Sequence, residues 1–304
     1  MSHSVSMSML GRHGRFGNQL FQYAFLRLVA RQFGATLEIP PWVGRPLFGL
    51  EDPPVSQNLP VYQEQWIGGD PLAGPVIPDL VDVLDHDFHG YAQFHTSWYR
   101  PHREFIRGLF QPTPEILDRV RRAARRLCAM GNPTRIGFHF RRGDYGRYIF
   151  YLTPVAWYRQ WLEENWARFE DPVLFIATED PAIVAEFADY GAVGIEQLGV
   201  ELRQHPMPEY TYLDYDLLTR DPRAMDFYPE FYLLSQCDVL AIPNSTFSFT
   251  AAMLAENLRE CWRSDLWTRR FVPIDPWDAH PLTHDKAEDF PDVPGIRSES
   301  NPYW

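Results

Sequence analysis

A regular alternation of strand-like and helix-like segments in the second half of this chain constrains its fold more than any other feature. Short apolar runs typical of buried strands occupy residues 135–140, 172–178 and 238–242. Segments with helical apolar spacing lie between and after these runs, at 157–166, 181–189, 229–236 and 247–258. Strand followed by helix, repeated along the chain, predicts a parallel sheet with helices packed on its faces. We therefore predict an α/β fold.

The first half of the chain is less regular. A glycine-rich turn at residues 11–19 precedes a helical pattern, and Gly34 is expected to end that helix. Residues 40–78 are rich in proline and glycine and are expected to be irregular. A second helical pattern runs from Pro114 to Cys128, with its arginines on a solvated face. The apolar stripe of the first helix consists of Leu20, Phe21, Ala24, Phe25, Leu28 and Val29.

Length and turn signals predict how the chain is divided. Its 304 residues are enough for two domains of ordinary size. The turn signal Gly131-Asn132-Pro133 is the best candidate boundary. We predict an N-terminal domain at 1–131, a C-terminal domain at 132–274 and a proline-rich, acidic tail at 275–304 that packs on the surface.

Charge and hydropathy exclude several classes of protein. A net charge of −12 disfavours binding to nucleic acid or to an anionic membrane surface. The sequence has neither a run of 18 apolar residues nor the pattern of a signal peptide. Its three widely spaced cysteines are expected to be reduced thiols. These features are typical of a cytosolic protein without an integral membrane segment.

Two adjacent arginines, Arg141 and Arg142, follow the predicted strand at 135–140. Parallel α/β sheets bind ligands at the carboxyl ends of their strands, and the planar guanidinium group matches the geometry of phosphate oxygens. His139 has the same side-chain parity as Arg141 and is expected to share its face. A salt bridge between domains is the alternative function of the arginine pair.

Two further loops could contribute to an anion site. The glycine-rich turn at 11–19 lies at a helix start, where backbone N–H groups attract negative charge. The segment 243–248 connects a strand to a helix, and its Ser245, Thr246 and Ser248 could donate to a phosphate. A tight connection and an ordinary N-cap are the respective alternatives. Together the three loops predict an anionic ligand held between two domains.

Metal sites are not favoured by the sequence. His86, His89, His95 and His102 lack the spacing of a ligand set and have no cysteine partner. The aspartates between Asp79 and Asp87 lack the glycine and the final glutamate of a calcium loop. We interpret these aspartates as a solvated face, and we expect no metal site at either group of residues.

Five short motifs follow one another along the chain, at 14–24 (GRFGNQLFQYA), 90–93 (GYAQ), 139–145 (HFRRGDY), 235–238 (SQCD) and 244–248 (NSTFS). In order and spacing they resemble those of the bacterial α-1,2-fucosyltransferases, glycosyltransferase family 11. More distant similarity extends to protein O-fucosyltransferases and α-1,6-fucosyltransferases. The resemblance spans roughly residues 10–260.

The resemblance implies a GT-B architecture, in which two Rossmann-like domains face each other across a cleft. It implies GDP-fucose as donor substrate, inversion at the reacting carbon, and neither a metal ion nor a cofactor. Arg141 and Asn18 are the implied catalytic residues, with Arg141 gripping the β-phosphate. The implied donor-binding residues are Phe16, Gly17, His139, Arg142, Glu230 on the guanine, Asn244, Ser245, Thr246 and Phe247.

The chain departs from the family at positions that bear on acceptor and base. Phe249 and Thr250 follow the second phosphate motif where family members commonly carry tryptophans, and the segment 210–225 looks expanded. Ile149 stands near the position where α-1,6 relatives use a glutamate. Asp144, the nearest carboxylate, is expected to hold the arginine loop, with a role as general base as the lesser alternative.

Three functions remain open from sequence. The first is transfer of fucose to a galactoside in an α-1,2 linkage, in the cytoplasm or at the inner face of a bacterial membrane. The second keeps the fold but uses another GDP-sugar, and the third is a nucleotide- or glycan-binding protein without turnover. The sequence identifies neither the acceptor nor the oligomeric state.

Overall fold

The computed structural model describes residues 3–130, 134–143, 145–146, 150–200 and 225–297. Within this range the chain forms two compact units, of which the first runs to Ile116 and the second contains 117–200 and 226–297. The division falls within a helix, Pro114–Met130. The turn at 131–133 lies outside the described residues, and the domain limits drawn from sequence stay predictions.

The first unit is built around a small parallel sheet. Its four strands are ordered β2-β1-β4-β3, and each neighbouring pair is parallel. The elements are β1 (Ser4–Ser6), α1 (Phe16–Phe33), β2 (Thr36–Glu38), α2 (Gly44–Phe48), β3 (Val61–Gln63), β4 (Asp87–His89) and α3 (Arg103–Leu109), with short 3-10 turns between β3 and α3.

Helix α1 confirms the sequence prediction. Its apolar stripe is buried, and Gly34 ends the helix in the left-handed conformation (φ 62°) with its N–H bonded to the carbonyl of Ala30. The strands that flank α1 were not predicted, because three residues are too few for a periodic signal. Within 40–78, which was expected to be irregular, α2 and β3 are short regular elements.

One aspartate of the predicted solvated face is instead buried. Asp87 starts β4, is 8% exposed, and accepts hydrogen bonds from the Ser6 hydroxyl (3.0 Å) and the Ser8 backbone N–H (2.7 Å). The interpretation of Asp87 as solvated was therefore wrong. Charge spacing alone did not reveal that neighbouring serines satisfy this carboxylate.

The second unit contains a larger sheet of five strands, ordered β6-β5-β7-β8-β9. All neighbouring pairs are parallel except β8 with β9. Its elements, after helix α4 (Pro114–Met130), are β5 (Thr134–Phe140), α5 (Val155–Asn165), β6 (Pro172–Thr178), α6 (Ala182–Ala185), α7 (Tyr228–Ser235), β7 (Val239–Ile242), α8 (Thr246–Leu254), β8 (Glu260–Asp265) and β9 (Arg270–Ile274).

Most elements of this unit match the predicted alternation. Strands β5, β6 and β7 and helices α5, α7 and α8 occupy the expected segments, whereas the helix expected at 181–189 is only the short α6 followed by a 3-10 turn. Strands β8 and β9 were missed. Both carry charged residues or proline in place of an apolar run, so no local signal marks them.

The core of the second unit is aromatic and includes part of the predicted tail. The ring centre of Phe138 on β5 lies 5.1 Å from the ring centre of Tyr158 and 5.5 Å from that of Trp161. The same core contains apolar residues from the end of the chain, where a surface tail was predicted: Ala287, Phe290, Val293 and Ile296. Within its described part, 275–297, the segment therefore closes the core. These four residues recur at every third position, which matches neither the period of two of a strand nor the period of 3.6 of an α-helix, so sequence alone did not reveal their burial.

Two other expectations concern chemistry and hydropathy. None of the three cysteines, all of which lie among the described residues, forms a disulfide. In the same part of the chain, no helix combines the length and apolar character that a membrane span requires.

Asp238, just before β7, ties this strand to β5. Its carboxylate accepts hydrogen bonds from Nε (2.9 Å) and Nη2 (3.0 Å) of Arg135 and from the Arg135 backbone N–H (2.9 Å). Burial by itself raises the pKa of this carboxyl, but the bonds from Arg135 outweigh burial and hold its pKa below the usual value.

We expect Asp238→Ala to lower the free energy of unfolding by about 2–3 kcal/mol, because it leaves the half-buried guanidinium of Arg135 without its carboxylate. A carboxylate with a depressed pKa stabilises the fold above its unfolded pKa, and that stabilisation is lost as pH falls through the folded value. The difference from wild type in urea denaturation should therefore be complete above about pH 4 and shrink below it. Asp118→Ala, which breaks an exposed pair with Arg121, is the control and should change stability by less than about 0.5 kcal/mol; an equal loss in both variants would contradict the prediction.

Candidate functional site

The carboxyl ends of β5, β6 and β7 lie at one edge of the second unit's sheet. Phe140 pairs with Thr178 of β6, and Phe138 pairs with Ala241 of β7, all in parallel register. Segments that leave the three strands therefore start side by side. This edge is where α/β sheets place their ligands.

Arg141 is paired with a carboxylate that sequence reasoning missed. Its guanidinium contacts the carboxylate of Glu179, which follows β6, and lies 5.4 Å from the centre of the Tyr145 ring. The other oxygen of Glu179 accepts the backbone N–H of Arg142 at 2.8 Å. This pair is not the predicted alternative of a salt bridge between domains, because both residues lie in the second unit. Only the pairing of β5 with β6 could have revealed this partner.

Arg142 has different surroundings. Its Nη1 lies 3.4 Å from the carbonyl oxygen of Thr153, and its guanidinium carbon lies 5.5 Å from the centre of the Phe140 ring. The two adjacent arginines therefore do not act as one charged pair. Arg141 is the better candidate for contact with an anion, because its guanidinium lies at the end of β6, beside Glu179, and next to the ring of Tyr145.

His139 is buried and uncharged. It is 5% exposed, its Nδ1 lies 2.8 Å from the hydroxyl oxygen of Ser248, and its ring centre is 5.2 Å from that of Phe247. Burial lowers the pKa of His139 to about 3. A neutral imidazole cannot supply positive charge to a phosphate. Its contacts instead fix the first turn of α8 against β5.

The start of α8 has the geometry of an anion site. Ser245 is extended (φ −140°, ψ 127°) and its side chain does not cap the helix, so the alternative of an ordinary N-cap is not what the structure shows. Thr246 begins the helix, whose first N–H groups have no intrahelical acceptor and carry partial positive charge. The hydroxyl of Tyr145 donates to the carbonyl oxygen of Asn244 at 2.9 Å. This bond joins Tyr145, whose ring lies beside Arg141, to the turn before α8.

Asn244 joins the turn before α8 to the segment at 283. Its Nδ2 donates to the carbonyl oxygen of Thr283 at 2.7 Å, and its Oδ1 accepts the Thr283 N–H at 2.8 Å. Because the residue is 1% exposed and both ends of its amide are bonded, Asn244 holds this turn in place. Its contact with a donor stays a prediction.

Glu230 on α7 reaches the same edge of the sheet. Its Oε1 accepts the backbone N–H of Thr178, the last residue of β6, at 3.0 Å. Burial raises the pKa of Glu230 to about 7, against the smaller opposite effect of the Thr178 bond. Near neutral pH this group is therefore poised to gain or lose a proton.

In the first unit, Phe16, Gly17 and Asn18 form the first turn of α1 and not the preceding loop. Phe16 is 2% exposed and stacks on Phe48 at 6.3 Å between ring centres, so it anchors the helix in the core. Its contact with a ligand stays a prediction. Asn18 is half-buried, and its Oδ1 accepts a hydrogen bond from Nε2 of Gln93 at 2.8 Å.

Some predicted features cannot be placed. The described residues do not include Asp144, Ile149 or positions 210–224 of the segment that looks expanded. In the part of the chain that the structure describes, His, Cys, Asp and Glu side chains form no group of three or more that could hold a metal ion.

Comparison with known proteins connects this geometry to fucosyltransferases. No protein-family model matches the chain. The galactoside α-(1,2)-fucosyltransferases 1 of Alouatta caraya and Ateles belzebuth are each 25% identical to it, in alignments 307 and 312 positions long that cover 96% of this chain and 75% of each relative.

Solved fucosyltransferase structures have the same fold. The NodZ α-1,6-fucosyltransferase soaked with GDP-fucose superposes with a TM-score of 0.55 at 15% identity, covering 90% of this chain and 99% of NodZ. A mutant of Arabidopsis thaliana FUT1 in complex with GDP gives a TM-score of 0.53 at 13% identity, covering 87% of this chain and 71% of FUT1. The prediction of a GT-B-like α/β fold is confirmed by these likenesses.

Glu179 lowers the net positive charge that Arg141 presents to an anion. We expect Glu179→Gln to bind inorganic pyrophosphate about three- to tenfold more tightly than wild type at low salt, because it removes a negative charge and keeps an acceptor for the Arg142 N–H. Titration calorimetry at two salt concentrations measures this, and the gain should shrink as salt rises. Glu186→Gln, at an exposed glutamate paired with Arg159, is the matched control. Weaker pyrophosphate binding by Glu179→Gln would contradict the prediction.

Proposed function

We propose that this protein is an inverting glycosyltransferase that moves L-fucose from GDP-fucose to a galactoside acceptor in an α-1,2 linkage without a metal ion. The observation that carries the proposal is the link through Tyr145, whose ring lies beside Arg141 and whose hydroxyl binds the turn before α8, at the carboxyl edge of the sheet. It occurs in a chain whose relatives include galactoside α-(1,2)-fucosyltransferases. The motifs at 14–24, 139–145 and 244–248 support placement among the bacterial members of glycosyltransferase family 11, with a cytoplasmic location.

Donor binding falls to the second unit in this proposal. Arg141 contacts the β-phosphate, with Ser245, Thr246 and the N–H groups of the α8 first turn on the same diphosphate. Phe247, fixed by His139, orients that turn. The predicted domain 132–274 corresponds to this nucleotide-sugar-binding part of the chain.

Transfer requires the acceptor hydroxyl to attack carbon 1 of fucose while its bond to the β-phosphate oxygen breaks. Negative charge then develops on the departing diphosphate. A guanidinium and oriented N–H groups that are already in place stabilise this charge in the transition state more than in the ground state. The acceptor hydroxyl releases its proton to solvent, so the products are the fucosylated acceptor, GDP and one proton. The predicted domain 1–131 takes the acceptor, and Asn18 contacts the reacting sugars.

We expect purified protein to release GDP from GDP-fucose and to transfer fucose to a β-galactoside with EDTA present. Arg141→Ala should keep its fold and lose about 2–4 kcal/mol of transition-state stabilisation, which is about 30- to 900-fold in kcat/KM. Product analysis by mass spectrometry and NMR measures transfer and linkage.

Arg159→Ala, which breaks an exposed contact with Glu186, serves as the matched control and should retain activity. Transfer from GDP-mannose alone would redirect the proposal to another donor. Tight GDP binding without any transfer would reduce the protein to a binding module. Near-normal turnover by Arg141→Ala, or activity that EDTA abolishes and Mg²⁺ restores, would end the proposed mechanism.

Glu230 provides a second test, through pH. Guanine presents the N1–H and N2 amino donors, which suit an ionised carboxylate. Since the pKa of Glu230 in the free protein is raised to about 7 by burial, binding below that pH requires loss of a proton. The Kd for GDP should therefore increase as pH falls from about 7.5 to about 5.5, by up to about tenfold per pH unit.

Glu230→Gln should bind GDP more weakly at pH 8 and show a flatter pH profile, because its side chain does not titrate. Comparison with this variant removes the contribution of phosphate protonation, which both proteins share. Glu256→Gln, at an exposed glutamate of the same unit, controls for a general change of charge. Parallel pH profiles in wild type and Glu230→Gln would exclude the guanine contact.

A further inference from the structure

The segment 90–93 of the first unit is held by a buried carboxylate. Glu64, which is 2% exposed, accepts the backbone N–H groups of Tyr91 (3.0 Å) and Ala92 (2.8 Å). Ala92 adopts a positive φ of 52°, a conformation that is unfavourable for a residue with a side chain. The hydroxyl of Tyr99 donates to the carbonyl oxygen of Ala92 at 2.6 Å. These bonds keep a strained backbone in one conformation.

A buried glutamine ties this segment to the glycine-rich turn. Nε2 of Gln22, on α1, donates to the carbonyl oxygens of His13 (2.9 Å) and Gly90 (3.0 Å). The two loops also touch through their rings, since the centres of His13 and Tyr91 are 4.3 Å apart. Residues 11–18 and 90–93 therefore form one connected structure around the start of α1.

Gln93 is where this structure reaches Asn18. Its Nε2 donates to Oδ1 of Asn18 at 2.8 Å, across 75 residues of sequence. On its other side, the Asn18 amide lies against Gly14, which has a positive φ of 80°. A Cβ atom at Gly14 would stand 2.4 Å from Nδ2 of Asn18. Two contacts thus fix the orientation of the Asn18 amide. Its oxygen is held by the hydrogen bond from Gln93, and its amino group lies against Gly14, which has no side chain to displace it.

We propose that Gln93 is a positioning residue that orients the amide of Asn18 for fucosyl transfer. The inference rests on the proposed function, in which Asn18 contacts the reacting sugars. The Gln93 amino group holds the carbonyl end of the Asn18 amide, and the Asn18 amino group is directed to the side of Gly14. Glu64 and Gln22 hold the segment that carries Gln93.

Gln93→Glu tests the direction of this bond. A carboxylate has nearly the size of the amide but only accepts hydrogen bonds above its pKa, so the Asn18 amide must turn its amino group toward position 93. It then presents its carbonyl oxygen where the wild type presents N–H groups. We expect kcat to fall about tenfold or more, with KM for GDP-fucose changed by less than about threefold. The melting temperature should match that of the control Gln111→Glu, at an exposed glutamine that donates to Arg107 O.

A double-mutant cycle separates positioning from a structural role. In an Asn18→Ala background, Gln93→Glu should cause little further loss of kcat, because the side chain through which it acts is gone. A further fall as large as in the wild-type background would overturn the inference. So would a Gln93→Glu protein with normal kcat.

A readout without turnover keeps this inference separate from the proposed function. In spectra of ¹⁵N-labelled protein, the side-chain amide resonances of Asn18 are the pair missing from Asn18→Ala. They should shift in Gln93→Glu and stay in place in Gln111→Glu. If wild type transfers no fucose to any galactoside while this shift occurs, the proposed function fails and the Gln93–Asn18 coupling stands. An unshifted pair overturns the coupling itself.

Discussion

Parallel pairing of β5 with β6 on one side and β7 on the other is the interaction on which the candidate donor site depends. The register pairs Phe140 with Thr178 and Phe138 with Ala241, so the segments that leave the three strands emerge together. That register brings the guanidinium of Arg141 to Glu179. A slip of one residue would turn the partner side chains to the opposite face of the sheet.

Two features limit the positive charge that the described residues place at this edge of the sheet. His139 is neutral because burial lowers its pKa to about 3, and Glu179 offsets part of the charge of Arg141. Within this part of the chain, attraction for an anion therefore depends on the arginine side chains and on the first turn of α8. Such a moderately charged site suits a leaving group that must be stabilised as its charge develops and must then dissociate.

The two units position their polar side chains by different means. In the second unit, strand ends carry the candidate residues directly, and an aromatic core around Phe138 fixes the strands. In the first unit, strands of three residues leave most of the ordering to side chains. Buried Glu64 and Gln22 bind backbone groups of two loops and so place Gln93 beside Asn18. An amide ordered in this way loses little entropy on meeting a substrate.

The sequence by itself determined α1, strands β5 to β7 and the residue types at the strand ends, because apolar periodicity and glycine placement act over short distances. It did not reveal β8, β9 or the core residues of 275–297, because these charged or proline-rich segments show neither the period of a strand nor that of an α-helix. The sequence identified Arg141 as a candidate site residue but did not reveal its carboxylate partner, Glu179. Tertiary structure alone decided that His139 is neutral, because it buries this side chain beside Ser248, 109 residues away in the sequence. It also decided the hydrogen bond from Gln93 to Asn18, which are 75 residues apart. Burial and hydrogen-bond partners are supplied by distant segments, and no local pattern encodes which segments will meet.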